Sequence, residues 1–206
     1  MIKNCKHCIY DSLFSKIVHY KAKQMLFFEG ATLDYVYRIK KGYIKINRMH
    51  ASGEEKIFDI LGPNDYVALI AVLQNKLTYI ASAEALTDVV VDRIIKADVL
   101  KAYQSNSHFK TLCLNCAITR STLFQDKLFQ TSNMHTEDKI LSTLIMLGRK
   151  FGRREKNRLE IRLPFNQTVL ANIIGIRRET LSRKLSEMKK QHVIRVNENV
   201  YILDRM

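Results

Sequence analysis

A short run of charged and polar side chains, RRETLSRK at residues 177–184, has the chemistry needed to contact DNA bases. Arg183 can donate two hydrogen bonds to guanine N7 and O6, Glu179 can accept one from cytosine N4, and Ser182 can do either. Charged residues at helical spacing usually form only a solvent-exposed helix face. Here, however, an apolar face lies opposite them and further basic residues flank them, which favours a DNA-binding role. The predicted DNA-contacting residues are Arg177, Arg178, Glu179, Ser182, Arg183 and Lys184.

The four cysteines of the chain form two C-x-x-C pairs, Cys5 with Cys8 and Cys113 with Cys116. This spacing brings two sulfur atoms within reach of one metal ion or cluster, and thiolates are soft ligands for Fe–S, zinc or Cu(I). Cys113 and Cys116 are three residues apart in a helical pattern, so they share one face of that helix. All four cysteines are therefore candidate metal ligands.

Two helices joined by a tight turn are predicted to position the DNA-contacting residues. Polar residues from Asn166 onward begin the first helix, and Gly175 lies where the turn needs a residue that tolerates positive φ. The apolar face of the first helix comprises Val169, Leu170 and Ile173, and that of the second comprises Leu181, Leu185 and Met188. This pattern predicts a helix-turn-helix whose second helix directs its charged face toward a DNA major groove.

The second helix resembles the recognition helix of the CRP/FNR family of bacterial transcription regulators, which carries an R-E-T-x-[SG]-R motif. The matching residues are Arg178, Glu179, Thr180, Ser182 and Arg183. Glu179, Ser182 and Arg183 reproduce the E-x-x-S-R triad of the FNR branch, while Arg178 is the residue that the CRP branch uses beside its glutamate. The resemblance implies a homodimer that binds double-stranded DNA at a palindrome of TTGA-like or TGTGA-like half-sites.

Between residues 23 and 94 the chain consists of short β-rich segments separated by turns that contain Gly, Asn or Asp. Many short strands favour an antiparallel sandwich or barrel. The order of the turns resembles the effector-sensing jelly roll of the same family. The matching segments are Phe28-Glu29-Gly30, Lys41-Gly42-Tyr43-Ile44-Lys45, Ser52-Gly53-Glu54-Glu55 and Pro63-Asn64-Asp65-Tyr66. Residues 10–20, in contrast, are predicted to form a short helix.

The predicted fold class is α+β, with an N-terminal antiparallel β jelly roll of the cyclic-nucleotide-binding type, a long dimerisation helix and a C-terminal winged helix-turn-helix. The predicted domains are 1–107 for the cysteine segment and β-roll, 108–133 for the long helix, and 134–206 for DNA binding. A formal net charge of +14 favours a polyanionic partner. Residues 134–206 are the more basic part, with 16 Lys and Arg against 8 Asp and Glu.

The long helical pattern that begins at His108 carries apolar side chains on two faces. One face comprises Phe109, Leu112, Cys116 and Leu123, and the other comprises Leu114, Ala117, Ile118, Phe124 and Leu128. A helix that is apolar on two sides must bury both. We predict that one face packs on the β domain and the other on a second copy of the chain, as the family resemblance also implies. A single buried core helix is the alternative.

Family members that bind cyclic nucleotides hold the cyclic phosphate with a G-E-L segment and an R-[ST] pair. In this chain Leu69 stands at the glutamate position, and Tyr79-Ile80 stands at the Arg-Ser position. Without a guanidinium group, a buried phosphate has no counter-charge, which is energetically costly. Cyclic AMP is therefore not expected to bind.

The FNR branch senses oxygen with a [4Fe–4S] cluster held by N-terminal cysteines, in a C-x-x-C-x5-C pattern, and by one cysteine of the β domain. Cys5 and Cys8 match the first two positions, but Phe14 and Val91 stand at the other two. The second C-x-x-C pair could replace both missing ligands. The alternatives are a reversible disulfide switch, as in Flp-type regulators, a bound zinc ion, or cysteines that only pack in a helix interface.

Two alternative functions remain: a family member without a metal centre that responds to a small organic effector in the β-roll, and a cupin-like metalloenzyme. The enzyme is disfavoured because the β region has no H-x-H motif or paired carboxylates, and no nucleophile–base arrangement occurs. No segment approaches the roughly 20 apolar residues of a membrane span, and a signal peptide is not seen. We expect a cytoplasmic protein that does not bind membranes, with RNA polymerase as a candidate partner.

Overall fold

The computed structural model describes residues 15–51, 53, 55–131, 135–155 and 158–204. The chain divides into two compact units near residue 124, and residues 49–58 group with the second unit. The elements up to residue 131 are β1 (Ser15–Tyr20), β2 (Met25–Phe27), β3 (Tyr35–Lys41), β4 (Ile44–Met49), β5 (Glu55–Leu61), β6 (Tyr66–Val67), α1 (Leu69–Leu73), β7 (Ser82–Ala85), β8 (Val89–Ile95), α2 (Lys96–Ser105) and α3 (Ser107–Thr131).

Two four-stranded antiparallel sheets form the β-roll that the strand pattern predicts. Their strand orders are β1-β8-β3-β6 and β2-β7-β4-β5. Side chains from both sheets meet in one core, with Ile39 and Val91 from the first sheet and Ile44 and Ala83 from the second, all fully buried. The segment between β6 and β7 is not all strand, because Leu69–Leu73 forms the short helix α1.

The predicted helix at residues 10–20 is wrong for its second half, which forms strand β1; residues 10–14 lie outside the described part of the chain. Strand β1 pairs with β8 without interruption, from Ser15 opposite Ile94 to Tyr20 opposite Val89. Six consecutive pairings with a distant segment outweigh a weak local helix preference. The β-branched Ile17 and Val18 also favour a strand.

Gly42 makes the tight connection between β3 and β4. Its φ is +85°, and a Cβ at this position would overlap the backbone carbonyl oxygen of Asp88. Gly30 has a similar φ of +82°, but an added Cβ there would meet nothing within 4 Å. The chain therefore needs glycine at Gly42 for two reasons, the left-handed backbone and the close approach of a neighbouring strand.

Helix α3 has the two-sided apolar pattern predicted for it. Phe109 and Cys113 are buried in the β-roll core, and Leu112 and Cys116 pack against that core. Arg120 attaches this side of the helix to the β-roll, because its Nη2 donates a 2.6 Å hydrogen bond to the carbonyl oxygen of Tyr66. The second apolar face points away from this core, with Leu114, Ile118, Phe124 and Leu128 each 54–60% exposed.

The second unit contains the winged helix-turn-helix. Its elements are α4 (Thr136–Phe151), β9 (Gly152–Glu155), β10 (Arg158–Arg162), α5 (Gln167–Ile174), α6 (Arg178–Lys190), β11 (Ile194–Asn197) and β12 (Val200–Asp204). The strands form one sheet in the order β11-β12-β10-β9, so the predicted wing is joined by a second hairpin. Ile140, Leu144, Leu170 and Leu181 are completely buried and hold the three helices together.

Candidate nucleic-acid interface and cysteine site

Helices α5 and α6 are joined by a tight turn, as the sequence predicts. The side chain of Asn166 caps α5, because its Oδ1 accepts a 3.2 Å hydrogen bond from the backbone N–H of Val169. Gly175 ends α5 with a φ of +79°. Its backbone N–H donates to the carbonyl oxygen of Ala171, which completes a left-handed helix cap.

Helix α6 separates an apolar face from a polar one, as expected for a recognition helix. Leu181, Leu185 and Met188 are buried beneath it, and this part of the prediction is confirmed. The opposite face is exposed and comprises Arg178, Glu179, Ser182, Arg183 and Ser186, with Arg177 exposed at the helix start. A rigid helix anchored by three apolar side chains thus presents donors and acceptors suited to base edges.

Lys184 is placed differently from the other predicted contacts. Its Nζ lies 2.8 Å from Glu187 Oε2 on the same helix and 3.1 Å from Glu137 Oε1 in the first turn of α4. Its side chain is 27% exposed. Sequence reasoning missed both carboxylates: the spacing of Lys184 and Glu187 was available as a local signal, but Glu137 is 47 residues away.

In the β-roll, core residues occupy the positions that correspond to the glutamate and the arginine of the family's phosphate-binding segment. Leu69 and Tyr79 are buried, whereas Ile80 points outward and is exposed. The Tyr79 hydroxyl donates a 3.0 Å hydrogen bond to the carbonyl oxygen of Tyr35, and its ring stacks on Phe27 with 3.6 Å between centroids. An aromatic ring therefore stands where the family places a guanidinium group.

Burial raises the pKa of two phenols in this aromatic group, Tyr37 and Tyr79. Desolvation raises the pKa of Tyr37, and the neighbouring Tyr79 raises it further. Desolvation also raises the pKa of Tyr79, against hydrogen bonds that lower it. Neutral phenols can donate hydrogen bonds, but they supply no positive charge to balance a phosphate.

The C-x-x-C pair on α3 faces the β-roll core. Cys113 is 1% exposed and belongs to the core cluster, while Cys116 is partly buried beside it. Burial raises the pKa of the Cys113 thiol to about 11, and the nearby Cys116 adds to the effect. Burial also raises the pKa of Cys116, and Arg120 partly offsets this. Both thiols are therefore protonated at neutral pH, and a metal that bound them would have to displace their protons.

The described residues contain only part of the predicted four-cysteine metal site. In the part of the chain that the structure describes, no group of three or more His, Cys, Asp or Glu side chains could hold a metal ion. Cys113 and Cys116 share one helix face and provide two sulfur atoms. Cys5 and Cys8, the other two predicted ligands, lie outside the described residues. The residues on α3 thus fit half of a four-thiolate site.

Two family models cover most of the chain. Residues 17–106 match the cyclic nucleotide-binding domain, and residues 138–206 match the Crp-like helix-turn-helix domain. The chain belongs to the CRP/FNR family. Members of this family are transcription regulators and not enzymes. The Crp-like helix-turn-helix domain indicates that the chain binds DNA.

Curated relatives and solved structures agree with this family. The chain is 26% identical to the anaerobic regulatory protein of Haemophilus influenzae, over 90% of this chain and 72% of that protein. It is 25% identical to the global nitrogen regulator of Nostoc sp., over 87% and 81% of the two chains. FixK2 from Bradyrhizobium japonicum has the same fold, with a TM-score of 0.80, 18% identity and 94% of each chain covered. The predicted fold class, with an N-terminal β domain of the cyclic-nucleotide-binding type and a C-terminal helix-turn-helix, is confirmed. Among the described residues, no helix combines the length and apolar character needed to cross a membrane.

Proposed function

We propose that this CRP/FNR-family regulator binds a palindrome of TTGA-like or TGTGA-like half-sites as a homodimer, with α6 as its recognition helix. The observation that carries the proposal is the exposed face of α6. On this face Glu179, Ser182 and Arg183 stand together, opposite the buried apolar face that attaches the helix to the rest of the unit. Arg183 would contact guanine, Glu179 would accept from cytosine, and Arg177 and Arg178 would add phosphate or base contacts.

Dimerisation through α3 is the second part of this proposal. Four large apolar side chains on one face of α3 are more than half exposed. A contiguous apolar stripe of this kind is a common mark of a protein–protein interface. A symmetric pair of α3 helices would also give the two recognition helices the two-fold relation that a palindrome requires.

Site selection from a pool of random DNA duplexes tests these two parts. We expect enrichment of a palindrome whose half-sites are centred about one helical turn, roughly 34–36 Å, apart. Enrichment of a single asymmetric site would contradict the dimer, and the absence of any enriched sequence would contradict specific binding.

The third part of the proposal is a response to oxygen or redox state through Cys5, Cys8, Cys113 and Cys116. The pairing of all four cysteines in the chain supports it, as does similarity to proteins named anaerobic regulatory protein in Haemophilus influenzae and Bacillus subtilis. A [4Fe–4S] cluster would supply oxygen-sensitive chemistry at these thiolates. Zinc or a reversible disulfide would use the same residues.

The metal content of protein purified without oxygen tests the cysteine proposal. A broad brown absorbance, with iron and sulfide in equal amounts, is expected for a cluster and should disappear in the double variant Cys113→Ala/Cys116→Ala. Alanine keeps this buried position apolar, so the variant should remain folded. A colourless protein without iron would contradict the cluster, and its zinc content and free thiol count would separate zinc from a dithiol.

The packing of Cys113 in the β-roll core favours one alternative, a regulator without a metal centre. In that case a small organic effector in the β-roll would control DNA binding. Wild-type protein and the double variant would then be equally colourless and would bind DNA with equal affinity.

A further inference from the structure

The side chain of Lys184 links two helices of the DNA-binding unit. Glu137 lies in the first turn of α4 and Glu187 one turn further along α6, and both carboxylates are within 3.1 Å of the Lys184 ammonium group. The neighbouring Arg183 is exposed on the polar face of α6. Two consecutive basic residues of the recognition helix therefore have different surroundings, one facing outward and one paired within the protein.

The charges around Lys184 are unfavourable for a phosphate contact. One ammonium group and two carboxylates carry a combined formal charge of −1, so the positive charge of Lys184 is already balanced within this cluster. The hydrogen bonds that Lys184 donates to Glu187 and then to Glu137 raise the pKa of Lys184, and the hydrogen bond from Lys184 lowers the pKa of Glu187. Both shifts favour the charged forms of Lys184 and Glu187.

The same contacts can control the rotation of α6. Leu181, Leu185 and Met188 hold the helix by apolar packing, which is not directional. Hydrogen bonds to bases require distances near 2.7–3.2 Å and good alignment, so a small rotation of the helix weakens them. A lateral ion pair to α4 adds the directional restraint that apolar packing lacks.

We propose that Lys184 is a positioning residue of the recognition helix, which acts through Glu137 and Glu187 and does not contact a phosphate. It ties α6 to the first turn of α4 and so orients Glu179, Ser182 and Arg183 toward the bases. This inference rests on the proposed function of α6, and it replaces the direct DNA contact predicted for Lys184 from the sequence.

Binding of full-length variants to the selected palindrome and to a scrambled duplex, across a range of salt concentrations, tests the proposal. Lys184→Met and Glu137→Gln should each lower affinity for the palindrome by about three- to tenfold, a part of the discrimination that one bidentate base contact provides. The salt dependence should not change, because neither variant removes a phosphate contact, and any loss of affinity for the scrambled duplex should be smaller than the loss for the palindrome. Because Lys184→Met already removes the ion pair that Glu137→Gln breaks, the double variant should be no weaker than Lys184→Met alone.

Glu137→Gln is the decisive variant, because removal of a negative charge would by simple electrostatics strengthen DNA binding. Lys189→Met is the matched control, since Lys189 is an exposed lysine of the same helix. If it faces the DNA backbone, its loss should weaken both duplexes alike and reduce the salt slope by about 0.9. Lys184→Arg, which can keep both ion pairs, should retain affinity, and thermal unfolding should show that all variants are folded.

Two results would overturn the inference. A lower salt slope and equal weakening of both duplexes in Lys184→Met, with normal or tighter binding by Glu137→Gln, would make Lys184 a phosphate contact. Wild-type affinity in both variants would show that the ion pairs do not orient the helix. If wild-type protein selected no sequence at all, the proposed function itself would fail, and the role of Lys184 with it.

Discussion

At the scale of single residues, Arg183 is the side chain to which we assign the main base contact of the proposed function. We predict that Arg183→Ala costs roughly 1–3 kcal/mol in binding to the selected palindrome and relaxes the preference at one base pair of each half-site. Lys189→Ala, on the same helix, should weaken all sequences alike if Lys189 faces the DNA backbone. Fluorescence anisotropy with the palindrome and its single-base variants measures both effects. An unchanged consensus for Arg183→Ala would show that α6 does not read DNA through this residue.

Gly42 allows a second test at this scale, because Gly30 provides a matched control. Both glycines have φ near +80°, so alanine should cost about 1–2 kcal/mol at either position from backbone strain. At Gly42 the new Cβ also meets the backbone of Asp88, just before β8, and displacement of that backbone should raise the cost to about 2–5 kcal/mol. Urea unfolding of the two variants gives the comparison. Equal destabilisation would mean that the neighbouring strand moves away at little cost.

At the scale of elements, helix α3 carries the proposed dimer contact on its exposed apolar face. Ile118→Glu places a charge in the centre of this face, and the cost of burying it should shift the protein to monomers. Asn115→Glu changes charge equally at an exposed polar position of the same helix and should leave the dimer intact. Sedimentation equilibrium of the two variants and wild type measures the difference. A dimer that persists in Ile118→Glu would place the interface elsewhere.

Two elements show when the local sequence is and is not sufficient to predict secondary structure. Residues 15–20 are predicted to be helical from their spacing of apolar side chains, but they form β1 because β8 offers a complete set of backbone partners. The glycine turn of the helix-turn-helix, in contrast, depends on side chains within a few residues of Gly175, so the sequence identified it directly.

At the scale of the whole molecule, the proposed cysteine chemistry must change DNA affinity. We expect protein prepared without oxygen to bind its palindrome more tightly than the same protein after exposure to air, if a cluster supports the DNA-binding dimer. A variant with alanine at all four cysteines should show the same affinity under both conditions. Anisotropy measured in an anaerobic chamber, and again after air exposure, tests this. An oxygen response that persists in the four-alanine variant would exclude the cysteines as the sensor.

The sequence by itself determined the fold class and the helix-turn-helix, because these depend on short-range patterns. The spacing of Leu181, Leu185 and Met188 shows which face of α6 is buried, and the exposed motif beside it carries the resemblance to the family. The helical spacing of apolar residues in α3 likewise reveals its two apolar faces. Helical periodicity and glycine positions act over a few residues, so one sequence is enough to read them.

Only the tertiary structure decided which side chains meet across long stretches of chain. It pairs Lys184 with Glu137, buries Tyr79 against Phe27 and the backbone of Tyr35, and encloses Cys113 in the β-roll core. Each contact joins residues separated by more than forty positions, or depends on how two sheets close over a helix. Such contacts follow from packing of the whole chain, and no local pattern of residue types encodes them.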